Sequence, residues 1–217
     1  MSDTKLPRIN VSSMLFGYNR RLSHIRRFSS FPVIRTENVA EHTHYVLFYS
    51  MLIAHEIESL GDAIDWRLLT TSVSIHDLDE SLSGDVIRHV KRFSPVLHRE
   101  WKKMSKEMVQ ILSDDLGIQF VKYWESDKDL NCVEGQIIAL SDFLAVLSYT
   151  MEEYYTGNQY MGLVVQKVLN NLVQFFKLAG DEGFMIHPVI NRVLQDSVVN
   201  IKSVKFPEHR LISNPLY

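Results

Sequence analysis

Along nearly the whole chain apolar residues return at intervals of three and four, which is the helical period, and no segment alternates apolar and polar residues as a half-buried strand does. Only nine glycines and six prolines punctuate the 217 residues. The spacing therefore predicts an all-α protein, and 46% hydrophobic positions suffice for one sizeable core. A single helical-bundle domain over residues 1–217 is expected, its core at about 12–203, with 1–10 and 206–217 as terminal extensions.

The punctuation sets the helices. A first one is expected over about Ser12 to Arg27, stopped before the Ser29-Ser30-Phe31-Pro32 loop because the residue before a proline is driven out of the helical region. Asn38 with Glu41 three residues on has the form of a capping box, opening a helix that runs to Leu60-Gly61. Tyr45 to Ala54 is apolar on every face, so that helix should be central. Asp65 caps a third helix to about Leu78, and the polar stretch Asp79 to Ser94 reads as a structured loop. Further helices are expected at Pro95 to Leu116, Phe120 to Trp124, Asn131 to Tyr155, Gln159 to Leu178 and Pro188 to Ser203.

Charge excludes some functions. Lys plus Arg number 23 against 26 Asp plus Glu, a net of −3, so there is no bulk electrostatic pull toward nucleic acid or a membrane surface. The longest apolar run, Tyr45 to Ala54, is about half of a bilayer span, and Met1 to Asn10 has no apolar stretch of signal-peptide length. The single cysteine, Cys132, excludes an internal disulfide and a multi-cysteine zinc site. A cytoplasmic protein is expected.

Three features break the apolar pattern. Asp142 lies inside Ile137 to Leu147, where a buried carboxylate wants a metal, an arginine or a capped backbone, unless it follows a polar edge and pairs with a lysine. His76-Asp77 closes an apolar helix. Adjacent helical residues diverge by about 100°, so both can reach one ion only near a helix end; alternatively the histidine simply suits the helix dipole beside a solvated aspartate. His42 shares a helical face with Val39, Val46, Tyr49 and Ile53 and should be buried, where an imidazole needs a partner. Together His42, His76, Asp77 and Asp142 form a mixed nitrogen and oxygen set suited to a divalent transition ion with positions open for water.

This His…His-Asp…Asp order resembles the metal signature of the HD phosphohydrolase superfamily. The flanks resemble the 5′-deoxyribonucleotidase subfamily, which includes viral dNTP triphosphohydrolases. Arg35-Thr36-Glu37-Asn38-Val39-Ala40-Glu41-His42 reproduces the stretch around the family's first histidine. After His76-Asp77 the family's later positions are filled by Glu80, Gly84-Asp85 and Val90-Lys91. The family's Arg-Trp pair, fifteen and fourteen residues before the first histidine, is Arg27-Phe28 here, with phenylalanine in place of tryptophan. Val86-Ile87-Arg88-His89 stands where relatives typically carry prolines. The likeness spans roughly Arg21 to Glu153.

The resemblance implies an HD-domain helical bundle that hydrolyses deoxynucleoside 5′-monophosphates with one divalent transition ion (Mn, Co, Zn, Ni or Fe). It implies Glu80 as the residue acting on water, Asp85 as help to the leaving oxygen or the sugar, Arg27 and Lys91 on the phosphate, and Phe28 against the deoxyribose. A dNTP triphosphohydrolase releasing tripolyphosphate, with additional Mg and with Arg88, Arg92 and Lys102 for the longer anion, is the alternative. A non-catalytic nucleotide-binding scaffold is another, against which Glu80, Asp85 and Arg27 all stand. Ser81 after Glu80 argues against guanosine tetraphosphate hydrolases, and the lack of a Gly-Tyr-Pro sequence against the cyclic-dinucleotide branch. Relatives of this kind form homo-oligomers, and Val189, Ile190, Val193 and Leu194 offer either an interface or plain core.

Overall fold

In the computed structural model the described residues are 9–86, 88–91, 93–126 and 129–206, without the side chains of Arg88 and His89. The expected extensions at 1–10 and 206–217 thus fall almost wholly outside them. The helices are α1 Val11–Phe16, α2 Val39–Ser59, α3 Trp66–Ile75, α4 Glu80–Ser83, α5 Arg88–Lys91, α6 Pro95–Leu116, α7 Val121–Ser126, α8 Val133–Tyr155, α9 Met161–Asp181 and α10 Pro188–Lys202, with a 3₁₀ turn at Tyr18–His24. Among the described residues there is no strand, only an isolated antiparallel bridge between Arg26 and Asn38. The fold is all-α.

Local chemistry sets most of the ends. Asn38 Oδ1 accepts the Glu41 backbone N–H at 2.9 Å while Glu41 Oε2 accepts that of Asn38 at 3.0 Å, so the capping box is complete in both directions. Asp65 caps α3, Ser94 caps α6 ahead of Pro95, and Gly117, at φ 72°, closes α6 in the left-handed region.

Two expectations fail for identifiable reasons. The single helix over Ser12 to Arg27 is broken at Gly17, which is extended (ψ −175°) and donates its N–H to the Ser13 carbonyl at 2.8 Å. A Cβ there would lie 2.1 Å from that oxygen, so only glycine permits the break. The stretch Asp79 to Ser94 is not one loop, because α4 and α5 each form a single turn within it.

The bundle has two buried clusters. The larger unites α2, α3, α8, α9 and α10 through Val46, Ile53, Leu69, Leu140, Leu169 and Ile190, among others. The smaller joins Leu22, Val39, Ile75, Leu78, Val109, Leu112 and Trp124, where the 3₁₀ turn, α2, α3, α6 and α7 meet. Val189 and Ile190 are buried, and Val193 and Leu194 pack partly buried on the same cluster, so this face of α10 is core. Helix α2 is central on one side only, since Phe48 and Leu52 are 50% and 54% exposed. No helix among the described residues is long and apolar enough to cross a membrane.

The segment before α2 is clipped onto the far end of α8. Glu153, 1% exposed, accepts the backbone N–H groups of Ile34 and Arg35 at 2.7 and 2.6 Å and the Asn158 side-chain amide at 2.9 Å. Burial works against its ionisation, but these donors outweigh it and hold the carboxyl below its ordinary 4.5. A lowered carboxylate pKa stabilises the fold above the unfolded value and ceases to do so as pH falls through the folded one. Glu153→Gln should therefore cost about 2 kcal/mol, roughly 5 °C in Tm, at neutral pH, with the deficit shrinking in acid. Thermal unfolding of both proteins across pH checks this; a deficit independent of pH would mean that the charge on Glu153 does not matter.

Candidate active site

His42 enters the site one turn after the capping box of α2 and is fully buried. Its Nε2 lies 2.9 Å from Asp142 Oδ1 on α8 and 3.9 Å from Asp77 Oδ2. His76 is the C-cap residue of α3, with its Nδ1 2.7 Å from the Val73 carbonyl, so that nitrogen carries a proton and donates it. Its Nε2 is 3.2 Å from Asp77 Oδ2 but makes no hydrogen bond. Because α3 has already ended, His76 and Asp77 can face the same space despite being adjacent. Trp124 of α7 donates its indole N–H to the His76 carbonyl at 3.1 Å and fixes that end.

One ligand-capable atom each from His42, His76 and Asp142 lie within 4.8 Å of one another. Donors in the shell of a single ion, at bonds of about 2.0–2.2 Å, stand roughly 3–4 Å apart, so a small side-chain adjustment suffices. The His76 ring, anchored through Nδ1 with Nε2 left over, has the form that metal-binding histidines take when an outer partner sets the tautomer. The residues thus fit a divalent ion. Asp142 differs from its expected burial: 48% of its side-chain surface is accessible, and its partner is His42.

Charge in the site is unevenly shared. Burial would raise the Asp77 carboxyl, but His76, His42 and Arg27 together hold it well below the usual range; the partial loss of solvent on the side of Asp142 that faces the site opposes its ionisation, yet it stays low beside His42. The two imidazoles diverge. Burial and the Arg27 charge push His42 down, whereas the Asp77 carboxylate overcomes burial and lifts His76 to about 9.

Glu80 begins α4, 5% exposed on its side chain, with Oε1 2.9 Å from Lys91 Nζ and Oε2 without a hydrogen-bond partner. Burial and the Asp77 charge drive it up to about 8 against the pull of Lys91. Lys91 also sits 5.6 Å from the Trp101 ring centroid. Asp85 follows Gly84, whose φ of 74° turns the chain, and its charge adds to the rise of Glu80. Of the cations named for a longer anion, Lys102 is exposed, while Arg92 and the Arg88 side chain lie outside the described residues.

Arg27 places Nη1 3.4 Å from Asp77 Oδ2 and Nε 3.4 Å from Glu37 Oε2. Burial pushes the Glu37 carboxyl up to about 7 despite the arginine. Phe28, next in the chain, has φ 54°, unusual for a residue with a side chain, and stacks on Tyr149 at 5.1 Å and edge-on to Phe31 at 5.7 Å. Tyr149 donates its hydroxyl proton to the Arg35 carbonyl at 2.6 Å. The supporting roles of Glu37, Tyr149, Glu153 and Trp124 do not emerge from sequence reasoning. Only Glu37 left a trace, through its place in the Arg35 to His42 stretch.

Comparison with known proteins places this geometry. The profile of the YfbR-like 5′-deoxynucleotidase family matches residues 14–189. A 5′-deoxynucleotidase of Photorhabdus laumondii is 27% identical over 165 residues, covering 74% of this chain and 83% of that protein. Another from Photobacterium profundum is 24% identical over 194 residues, covering 78% and 97%. Among solved structures, an HD-domain phosphohydrolase from Listeria innocua superposes with a TM-score of 0.67 at 19% identity, over 88% of this chain and 90% of that one. The HD phosphohydrolase of cyanophage S-2L, bound to dA and one catalytic Zn²⁺, gives 0.57 at 15% identity, over 86% and 96%. This chain belongs to the YfbR-like 5′-deoxynucleotidase family of HD-domain phosphohydrolases.

Proposed function

We propose that this enzyme hydrolyses deoxynucleoside 5′-monophosphates to deoxynucleoside and phosphate, in the cytoplasm, and that His42, His76, Asp77 and Asp142 hold one divalent transition ion. The observation that carries the reading is the convergence of His42, His76 and Asp142 within 4.8 Å, with Asp77 against both imidazoles. When bound, such an ion polarises a phosphate oxygen and lowers the pKa of water. Zn²⁺ in the cyanophage enzyme agrees with that donor set.

The chain's own residues supply the rest. Arg27 offers its Nη edge to the phosphate, a planar donor that spreads the charge developing on the equatorial oxygens. Glu80, in the ionised form that Lys91 stabilises at 2.9 Å, accepts a proton from the attacking water as that water's oxygen bonds to phosphorus, and its raised pKa makes that form the stronger base. The P–O5′ bond breaks on the opposite side with its electron pair going to O5′, which takes a proton from solvent water to become the hydroxyl of the deoxynucleoside, while Asp85 orients that departing group. Lys91 stays on Glu80 and steadies its charge rather than standing free for the phosphate. Phe28, with Tyr149 behind it, walls the deoxyribose. The Zn²⁺ and dA of the cyanophage protein support a deoxynucleoside pocket beside the ion.

Three outcomes test this. Asp142→Ala should lose metal and turnover together; stoichiometric metal by elemental analysis in that variant would remove Asp142 from the ligand set. Glu80→Gln should keep its metal and bind nucleotide while losing about 10²- to 10⁴-fold in kcat, and a metal-depleted Glu80 variant would make it a ligand instead. Phe28→Ala should erase the preference for deoxyribose with metal retained. Paired ribo- and deoxyribonucleotides, compared by kcat/KM, decide the last, and an unchanged ratio would take Phe28 out of the sugar site.

A further inference from the structure

Arg27 owes its position to a two-residue scrap of antiparallel pairing. Val39 donates its N–H to the Ile25 carbonyl at 3.1 Å and Arg27 donates to the Glu37 carbonyl at 2.9 Å, on either side of the Arg26–Asn38 bridge. Residues 27 and 37 are therefore directly opposite, and opposite residues in an antiparallel pair present their side chains to the same face. The Glu37 side chain is 1% exposed and faces the guanidinium. Arg27 Nε and Glu37 Oε2 are both buried, neither has a regular hydrogen-bond partner, and they face each other at 3.4 Å.

The ends of the guanidinium are thus held unequally. Nε stands 3.4 Å from Glu37 as an ion pair without an aligned hydrogen bond, and the Glu37 backbone is stitched to that of Arg27, whereas Nη1 donates a hydrogen bond to Asp77 at 3.4 Å on the opposite wall, beside both histidines. A carboxylate that touches no other part of the reaction occupies the inner edge of an arginine, leaving the outer edge for exchange. Phe28, turning into the left-handed region immediately after Arg27, ends the pairing there and keeps the next residues from following the same line.

We propose that Glu37 is a positioning residue for catalysis: it fixes Arg27 through Nε, so that Nη1 trades Asp77 for the substrate phosphate without the side chain having to be reordered. This rests on the reading of Arg27 as the phosphate ligand. An arginine already fixed by one carboxylate loses little rotamer freedom on binding, and that saving appears as affinity for the phosphate group. Glu37 touches no reacting atom, so its effect must pass through Arg27.

A double-mutant cycle tests this on Mn²⁺-loaded protein with a deoxynucleoside 5′-monophosphate. Glu37→Gln should raise KM about 10-fold or more, with kcat within about 3-fold and metal content unchanged. In the Arg27→Ala background the same change should alter KM less than about 2-fold, because the residue through which it acts is gone. Calorimetric titration of inorganic phosphate into the four Mn²⁺-loaded proteins should repeat the pattern without turnover. Equal effects of Glu37→Gln in both backgrounds, or lost metal and kcat at unchanged KM, would overturn the proposal. Should Glu37→Gln fail to fold, Glu37→Asp, which keeps the charge but withdraws it from Nε, enters the same cycle with the same criteria. A rise in KM for Arg27→Ala with none for Glu37→Gln would remove Glu37 alone; no rise for Arg27→Ala would remove Arg27 from the phosphate as well.

Discussion

Four carboxylates, those of Glu37, Asp77, Glu80 and Asp142, crowd around one buried guanidinium, and the rest of this region is arranged to make that tolerable. Like charges gathered where solvent is scarce repel one another, so each must find a cation, a proton or a donor. Arg27 serves two of them, Lys91 serves Glu80, the His76 ring stands 3.2 Å from Asp77, and His42 lies 2.9 Å from Asp142.

The scaffold meets this demand by bringing short, well-terminated elements to one place. His42 falls between Val39, which belongs to the smaller cluster, and Val46, which belongs to the larger. His76 likewise follows Ile75 of the smaller cluster on a helix whose Leu69 and Val73 belong to the larger. The site is a seam between two packed bodies, and each histidine is held by apolar neighbours on both sides. That leaves the imidazoles little freedom, which keeps both rings close together.

Much of this was legible in the sequence where the signal is local. The Asn38–Glu41 box, the Asp65 cap and the Gly117 stop depend on residues within one turn, so spacing alone located them. His42, His76, Asp77 and Asp142 stood out because polar residues inside apolar runs need a reason. What stayed hidden depends on contacts across the chain or on backbone geometry. Gly17 breaks a helix that its neighbours would continue, and the one-turn helices α4 and α5 are too short for periodicity to register. The partnership of Arg27 with Glu37 is a cross-strand relation in a protein with no described strand, invisible to any helical wheel. The outer face of α2 looked buried because its residues are apolar, but apolar residues also occupy surfaces.

The order along the chain of the residues proposed to hold the ion has a consequence for biosynthesis. His42 and Asp142 are 100 residues apart, and the clip that holds the segment before α2 uses Glu153, later still. During translation the first histidine and the His76-Asp77 pair emerge well before the helix that brings the last carboxylate. An ion meeting the nascent chain would find only part of the proposed ligand set, while closing so long a loop adds to the time before native contacts form. If these residues hold an ion, as proposed, full-affinity loading would wait until α8 has docked, and the ion would enter a finished fold instead of nucleating one.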